Sequence, residues 1–146
     1  MTDTADTKNI SLTAYIDGAC RGNPGPAACG AVLMCDGQVV LEAGEFLGKS
    51  TNNRAEYCGL LLALNRAAEF TNCRRLTVMT DSQLMARQIR GEYKIKDAGL
   101  RELKEQADGL IARFDYFKIH DIRRTENAAA DKLANRHLDA ALKKRG

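Results

Sequence analysis

Four carboxylates stand in short polar motifs that interrupt otherwise apolar, regularly patterned segments of this 146-residue chain. They are Asp17 in YIDGACRGNPGP, Glu56 in STNNRAEY, Asp81 in VMTDSQ and Asp131 in RTENAAADKLAN. Asp17 and Asp81 each come at the end of a β-like run, and α/β sheets keep their ligand sites at the ends of strands. The four acids together therefore predict one metal-binding active site.

Each of these acids also has an ordinary structural explanation. Asp81 and Ser82 would make a respectable N-cap for a helix. Glu56 lies on the first turn of a predicted helix, where a carboxylate favours the helix dipole. Asp131 shares a helix face with Asn127 at the margin of an apolar stripe, where a purely solvating acid is less expected. As four coordinated motifs, the acids favour the metal site over these separate explanations.

The composition is that of an ordinary soluble globular protein, with 45% hydrophobic and 28% charged residues. We expect residues 1–9 to form a disordered tail and residues 10–146 to form a single domain, because this length suffices for one well-buried core. No apolar run is long enough to cross a bilayer, so no membrane partner is expected.

Charge and cysteine content restrict partners and location only weakly. The net charge of +3 is compatible with a polyanionic partner but does not specify one. Five cysteines without CxxC spacing argue against a disulfide framework or a zinc site and predict buried free thiols. The polar segment MTDTADTK has no apolar stretch typical of a signal peptide. We therefore expect a cytoplasmic protein, and no obligate protein partner is evident.

The first part of the chain has the periodicity of β-strands. Every second residue from Leu12 to Ile16 is apolar, which predicts a strand that ends at Asp17. The segment GNPGP that follows is predicted to be a loop. Two further β-like runs are joined by Asp36-Gly37, a dipeptide favoured in type I′ hairpin turns. The predicted antiparallel meander comprises residues 10–17, 28–35 and 38–46.

The rest of the chain alternates between helical and β-like patterns. Thr51 or Asn52 is a good N-cap for the first helix. A short helix is predicted to start at Asp81, and the last helix near Asn127. The other predicted elements are a helix over residues 53–70, a strand over 76–80, a helix over 99–112 and a strand over 114–122. The order is βββαβααβα, an α/β fold with helices packed on a mixed sheet.

Four motifs, in this order, resemble those of type 1 ribonuclease H: DGACRGNPGP, TNNRAE, TDSQ and NAAAD. The resemblance extends over about residues 12–138. It implies the ribonuclease H-like fold, a five-stranded mixed sheet whose first three strands are antiparallel. It also implies an endonuclease that binds an RNA/DNA hybrid and hydrolyses its RNA strand, leaving 5′-phosphate and 3′-hydroxyl ends.

The resemblance also implies a role for each acid in a two-metal mechanism. Two Mg²⁺ ions, with Mn²⁺ as an alternative, would supply an activated water and stabilise the leaving oxygen. Asp17 would bridge the two ions. Asp81 and Asp131 would hold the ion on the nucleophile side, and Glu56 would hold the ion on the leaving side.

Residues around the acids are implied to bind the hybrid. Gly18 is assigned to this surface because glycine lets a backbone approach closely, although Asn-Pro-Gly is also an ordinary turn. Recognition of 2′-hydroxyls and of duplex shape is expected for sequence-independent binding to an A-like duplex. By resemblance, the minor groove would be contacted by Gly22, Asn23, Asn52 and Gln83, and a DNA phosphate by Thr51 and Asn53.

Two features that many family members carry are missing here. One is a histidine in the loop before the last carboxylate, where this chain has RRTE and where Arg124 or Glu126 could take its place. His120 is predicted to belong to a strand and His137 to the last helix, so neither receives that role. The other is a handle rich in lysine and tryptophan, in whose place this chain has only GEYKIKDAG.

Two other functions are compatible with parts of this pattern. One is a nuclease of the same fold that acts on DNA. The other is a hybrid-binding module without catalytic activity. The motifs expected to contact 2′-hydroxyls favour a ribonuclease over a nuclease that acts on DNA. The presence of all four acids argues against the second, because crowded carboxylates without cations raise one another's pKa and destabilise a fold.

Overall fold

A computed structural model describes residues 10–70 and 73–145. The predicted tail, residues 1–9, lies outside this part of the chain. The strands are β1 (Ile10–Cys20), β2 (Gly25–Cys35), β3 (Gln38–Ser50), β4 (Cys73–Thr80) and β5 (Tyr116–Asp121). They form one sheet in the order β3-β2-β1-β4-β5. The first three strands are antiparallel and the last two run parallel to β1, which confirms the predicted α/β fold.

Helices cover both faces of this sheet. They are α1 (Asn52–Glu69), α2 (Gln83–Ile89), α3 (Ala98–Ile111) and α4 (Ala128–Arg145), with a 3₁₀ turn at Arg124–Glu126. α1 packs on β1 and β2 and also contacts α3, whereas α4 packs on β1, β2 and β3. Among the helices within residues 10–70 and 73–145, none is long and apolar enough to cross a membrane.

Alternation along the strands divides the buried residues between two hydrophobic clusters. Leu12, Ala14 and Ile16 of β1 face α1 and belong to the larger cluster, as the period-2 pattern predicts. The smaller cluster lies between the sheet and α4 and consists of small strand residues packed on two helix residues. Its buried members are Ala19, Ala28, Ala134 and Leu138.

The close packing of α4 on β2 depends on Gly30. A Cβ atom at Gly30 would lie 2.9 Å from the backbone nitrogen of Ala134 and 3.2 Å from the carbonyl oxygen of Ala130. Backbone atoms cannot move aside as the end of a flexible side chain can. The glycine therefore allows α4 to lie directly against the sheet, and α4 is the helix that carries Asp131.

The turn between β1 and β2 is shorter than predicted. β1 continues to Cys20, three residues beyond Asp17, and β2 already begins at Gly25. Only residues 21–24 remain outside the strands, so the prediction that the whole GNPGP segment is a loop was wrong. The reason is that small residues let the antiparallel ladder continue, with Cys20 paired to Ala27, which satisfies backbone donors and acceptors that a loop would leave open.

Backbone angles and hydrogen bonds confirm two other local predictions, the hairpin turn and the cap of α1, and correct a third, the start of α2. Asp36 and Gly37 both have positive φ, at 52° and 78°, as a type I′ hairpin turn requires. The Thr51 hydroxyl caps α1 by accepting from the Arg54 N–H. The short helix α2 does not start at Asp81: its N-cap is Ser82, whose hydroxyl accepts from the Met85 N–H at 3.1 Å.

The outer strand β5 is contacted by an arginine from the end of α2. Arg90 donates through Nη1 to the carbonyl oxygen of Ile119 at 2.9 Å. The same guanidinium pairs with Glu92 at 2.8 Å and approaches Asp121 at 3.7 Å. This arginine thus joins three segments at the outer side of the sheet.

Replacing Gly30 with alanine should destabilise the fold, because the added methyl group meets the backbone of α4. We expect a loss of about 1–3 kcal/mol in the free energy of unfolding, measured by urea denaturation. Gly109→Ala is the matched control: nothing within the described residues lies within 4 Å of a Cβ there. That exchange, within α3, should stabilise by about 0.5–1 kcal/mol. Equal effects of the two exchanges would contradict the close-packing argument.

Candidate active site

Asp17 is the most buried of the four acids. It lies on β1, is 3% exposed and is paired with Gly30 of β2. Its Oδ1 accepts a hydrogen bond from the Gly18 N–H at 2.9 Å. A carboxylate in a strand with so little solvent needs partners that are fixed by the fold.

Glu56 reaches Asp17 because α1 approaches β1 closely at Gly18. A Cβ atom at Gly18 would lie 2.7 Å from the backbone carbonyl carbon of Ala55 and 2.8 Å from the nitrogen of Glu56. Only a glycine at this position lets the first turn of the helix lie on the strand. The geometry therefore gives Gly18 a packing function that sequence reasoning did not assign to it.

Asp81 follows β4 and comes beside Asp17 because the two strands are parallel neighbours. Thr80, the last residue of β4, pairs with Ile16, the residue before Asp17. The Ser82 N–H donates to the Thr80 hydroxyl at 3.0 Å, which fixes the turn between β4 and α2. Since Ser82 is the helix cap, the Asp81 carboxylate is not used for capping.

Three carboxylates form a group that is suited to bind a cation. One oxygen each of Asp17, Glu56 and Asp81 can be chosen so that all three lie within 4.8 Å of one another. Glu56 Oε1 and Asp81 Oδ2 are buried, and no hydrogen-bond donor from residues 10–70 or 73–145 reaches them. Oxygen atoms of carboxylates are the ligands that Mg²⁺ prefers. The donor set thus fits a hard divalent cation.

Asp131 lies on α4 and approaches the group from the side of Asp17. Its negative charge lies close enough to Asp17 to raise the pKa of that carboxyl group further. It does not belong to the three-carboxylate group found within the described residues. The oxygens of Asp81 are thus grouped with those of Asp17 and Glu56, and the assignment of acids to individual ions stays a prediction.

Burial and mutual repulsion raise the pKa values of two of the acids, Asp17 and Glu56. Desolvation, followed by the charge of Asp81, raises the pKa of Asp17 from 3.8 to about 7. Desolvation, followed by the charges of Asp17 and Asp81, raises the pKa of Glu56 from 4.5 to about 9. Bound cations would reverse this preference for the neutral forms, because they neutralise the same oxygen atoms.

A cleft of about 370 Å³ opens next to the acids. It is lined by Gly18, Asn52, Asn53, Glu56, Asp81, Ser82 and Arg124. Asn23 joins this region, because its Oδ1 accepts from the Asn52 N–H at 3.1 Å and so ties the β1–β2 turn to the start of α1. Most of the predicted binding residues are thereby gathered at one place.

The remaining predicted residues do not line this cleft or have side chains that are engaged elsewhere, except Asn23, which is tied to it through Asn52. Gly22 and Gln83 are not among its lining residues. The Thr51 hydroxyl is used to cap α1. Glu126 accepts from the Arg123 N–H at 3.0 Å and pairs with the Arg123 guanidinium, so it stabilises the 3₁₀ turn. His120 lines a separate cleft of about 700 Å³ beside β5, as expected for a strand residue.

Sequence reasoning did not assign a function to Asn127. This residue is 1% exposed, and its Nδ2 donates to the carbonyl oxygen of Ile16 at 2.8 Å. It therefore holds the start of α4 against the strand that carries Asp17. In the sequence, Asn127 is an asparagine directly before a predicted helix. That pattern normally indicates a helix cap and does not predict a contact with a distant strand.

This mixed sheet carries one acid on β1 and one directly after its parallel neighbour β4, and α1 and α4 carry the other two. Such an arrangement is typical of a ribonuclease H-like protein. Residues 15–137 match a family model described as reverse transcriptase-like. RNase H1 from Halobacterium salinarum superposes with a TM-score of 0.86 at 44% identity, covering 89% of this chain and 98% of that chain. The chain belongs to the ribonuclease H family.

The relatives differ in how much of their length the chain covers. Ribonuclease HI of Halobacterium salinarum is 45% identical over 88% of this chain and 64% of that protein. The bifunctional protein Rv2228c of Mycobacterium tuberculosis is 40% identical over 90% of this chain, but the chain spans only 36% of its length. LC11-RNase H1, solved in complex with an RNA/DNA hybrid, has a TM-score of 0.84 and 34% identity and covers 90% of this chain and 99% of that one.

The metal-free protein should lose stability as the pH rises. A carboxyl group whose folded pKa is raised contributes stability below its unfolded pKa of about 4, and this contribution is lost as the pH passes the folded value. With folded values of about 7 for Asp17 and about 9 for Glu56, we expect the urea midpoint in EDTA to fall between pH 5 and pH 9.

Asp17→Asn and added Mg²⁺ should each make this decrease smaller. The first removes one ionising group together with its repulsion of Glu56, and the second neutralises the carboxylates. Urea midpoints that do not change with pH in EDTA, or that fall equally in the wild type and in Asp17→Asn, would contradict the assignment.

Proposed function

We propose that this chain is an endonuclease that hydrolyses the RNA strand of RNA/DNA hybrids by a two-metal mechanism and leaves 5′-phosphate and 3′-hydroxyl ends. The observation that carries the proposal is the group of Asp17, Glu56 and Asp81 beside a cleft lined with asparagines. Two oxygens of this group, Glu56 Oε1 and Asp81 Oδ2, have no hydrogen-bond partner among the described residues. Membership of the ribonuclease H family supports the same reaction.

The acids divide into two sets around Asp17. Asp17, Glu56 and Asp81 would hold one Mg²⁺ ion, and Asp17 with Asp131 would hold the other. Two such ions supply an activated water and stabilise the leaving oxygen, and Mn²⁺ can serve in the same way. The protein contributes rigid placement, because its four acids come from β1, α1, the end of β4 and α4.

The hybrid would be bound by the turn at Asn23 and by the start of α1. Asn23 and Asn52 are joined by a hydrogen bond, so they present one continuous polar surface next to the acids. Amide side chains suit the 2′-hydroxyls and base edges in the shallow minor groove of an A-like duplex. In this proposal Gly18, Gly22 and Gln83 complete the minor-groove surface, and Thr51 and Asn53 hold a DNA phosphate.

Arg124 is proposed as the group that takes the position of the missing loop histidine. It is a cation that lines the cleft together with Glu56 and Asp81, whereas Glu126 is engaged by Arg123. An arginine cannot act as a general base, because it stays protonated. It would instead bind a phosphate oxygen of the RNA strand.

We further propose that residues 10–146 act as one nuclease domain in a cytoplasmic setting. The five cysteines are free thiols, which suits a reducing compartment.

The cleavage test uses a labelled RNA/DNA hybrid with Mg²⁺ or EDTA. We expect Mg²⁺-dependent cutting of the RNA strand, and a decrease of more than about 100-fold in Asp81→Asn, since outer-shell partners of metals alone contribute 10–100-fold. Asp36→Asn, in an exposed hairpin turn, is the matched control and should retain full activity. Cleavage of duplex DNA only would indicate the DNA nuclease, and tight binding without cutting would indicate the non-catalytic module.

Arg124→Ala should lower kcat/KM for the hybrid by about 10-fold or more, as expected for the loss of one charge-assisted hydrogen bond. Arg123→Ala is the matched control, because the Arg123 side chain is 84% exposed and pairs only with Glu126 among the described residues. Steady-state kinetics at fixed salt measure both variants. If the two variants lose activity equally, the loss comes from the change in net charge and not from the position of Arg124, and the proposed role of Arg124 is wrong.

A further inference from the structure

Asp131 is held by a side chain one helical turn further along α4. The Nδ2 atom of Asn135 donates to the backbone carbonyl oxygen of Asp131 at 2.9 Å and to its carboxylate Oδ1 at 3.2 Å. The first contact is local to the helix, but the second acts directly on the acid.

The other end of the Asn135 amide is fixed by the turn between β1 and β2. Arg21 donates through Nη2 to Asn135 Oδ1 at 3.2 Å, and the same nitrogen pairs with Asp139 Oδ1 at 2.6 Å. A guanidinium has donors only, so it must face the amide oxygen. The amide nitrogen is thereby turned toward Asp131.

These contacts connect the proposed binding turn with one of the four acids. Arg21 immediately precedes Gly22 and Asn23, which are assigned to the minor groove of the hybrid. A hydrogen-bonded path therefore runs from this turn through Arg21 and Asn135 to the carboxylate of Asp131. The other three acids come from β1, α1 and the end of β4, whereas this path orients the one acid that α4 supplies.

We propose that Asn135 is a positioning residue for Asp131 and that Arg21 orients Asn135, so that the geometry of the β1–β2 turn is coupled to the fourth acid. This inference rests on the proposed function, in which Asp131 binds one of two cations. Outer-shell hydrogen bonds that orient a ligand change metal affinity by about 10–100-fold when they are removed.

The contribution of the path lies in orientation and not in stability. The side chains of Arg21 and Asp139 are 45% and 63% exposed, and an ion pair between exposed groups adds little to the free energy of unfolding. The variants should therefore remain folded, and the effect should be seen in the metal dependence of the reaction.

Asn65 provides a matched control. Its Nδ2 donates to the carbonyl oxygen of Leu61, four residues earlier in α1, at 3.0 Å. This is the same local helix contact that Asn135 makes with the Asp131 carbonyl. Any general effect of removing such a contact from a helix is therefore present in Asn65→Ala, which lies away from the acids.

The first test is hybrid cleavage as a function of Mg²⁺ concentration. Asn135→Ala should raise the half-saturating Mg²⁺ concentration by about 10-fold, with a smaller effect on the rate at saturating Mg²⁺. Asn135→Asp keeps the oxygen that accepts from Arg21 but replaces the donor toward Asp131 with an acceptor, so it should be at least as impaired. Arg21→Ala should also raise the concentration, and the double variant Arg21→Ala/Asn135→Ala should be no worse than Asn135→Ala. Equal Mg²⁺ dependence in Asn135→Ala and Asn65→Ala would overturn the proposal.

The second test needs neither metal nor turnover. In the metal-free protein, the side-chain NH₂ signals of Asn135 in a ¹H–¹⁵N spectrum should shift in both Arg21→Ala and Asp131→Asn, whereas those of Asn65 should not. Unchanged Asn135 signals in these variants would overturn the path even if the enzyme cleaves hybrids. Shifted signals in a protein that cleaves no hybrid would show that the path exists and that the proposed function has failed.

Discussion

The crowding of carboxylates around Asp17 is the constraint on which the rest of the structure depends. Three acids whose oxygens lie within 4.8 Å of one another repel each other, and burial adds to this by favouring their neutral forms. In this protein the acids do not come from one element but from β1, α1 and the turn after β4. The fold assembles it from separate elements, each held in place by its own backbone contacts, and bound cations would remove the remaining repulsion.

Glycines and amides hold these elements at the required separation. Gly18 admits the first turn of α1 and Gly30 admits α4, so the two helices that carry Glu56 and Asp131 approach the strands more closely than side chains would permit. Asn127 then fastens the start of α4 to the carbonyl group of Ile16. The same short motif that supplies Asp17 thus also provides the space that the neighbouring acid needs.

The sequence predicted what depends on local pattern and missed what depends on contacts between distant segments. Alternation from Leu12 to Ile16 and the Asp36-Gly37 turn have local causes, and the structure confirms both. The prediction that β1 ends at Asp17 was wrong, because the length of a strand in a ladder depends on how far its partner strand continues to pair with it. The contact of Asn127 with Ile16 and the contact of Asn135 with Arg21 were not predicted, because each joins residues more than one hundred positions apart.

The contact between Arg90 and Ile119 has a consequence for how the molecule behaves among its own copies. An outer strand offers unpaired peptide groups to which a strand of another molecule can add, and this is a common beginning of aggregation. On β5 one carbonyl is already bound by the Arg90 guanidinium. The exposed Lys118 and His120 side chains stand on the same strand, and lysine at an edge opposes such addition. These features oppose the addition of a strand from another molecule at β5.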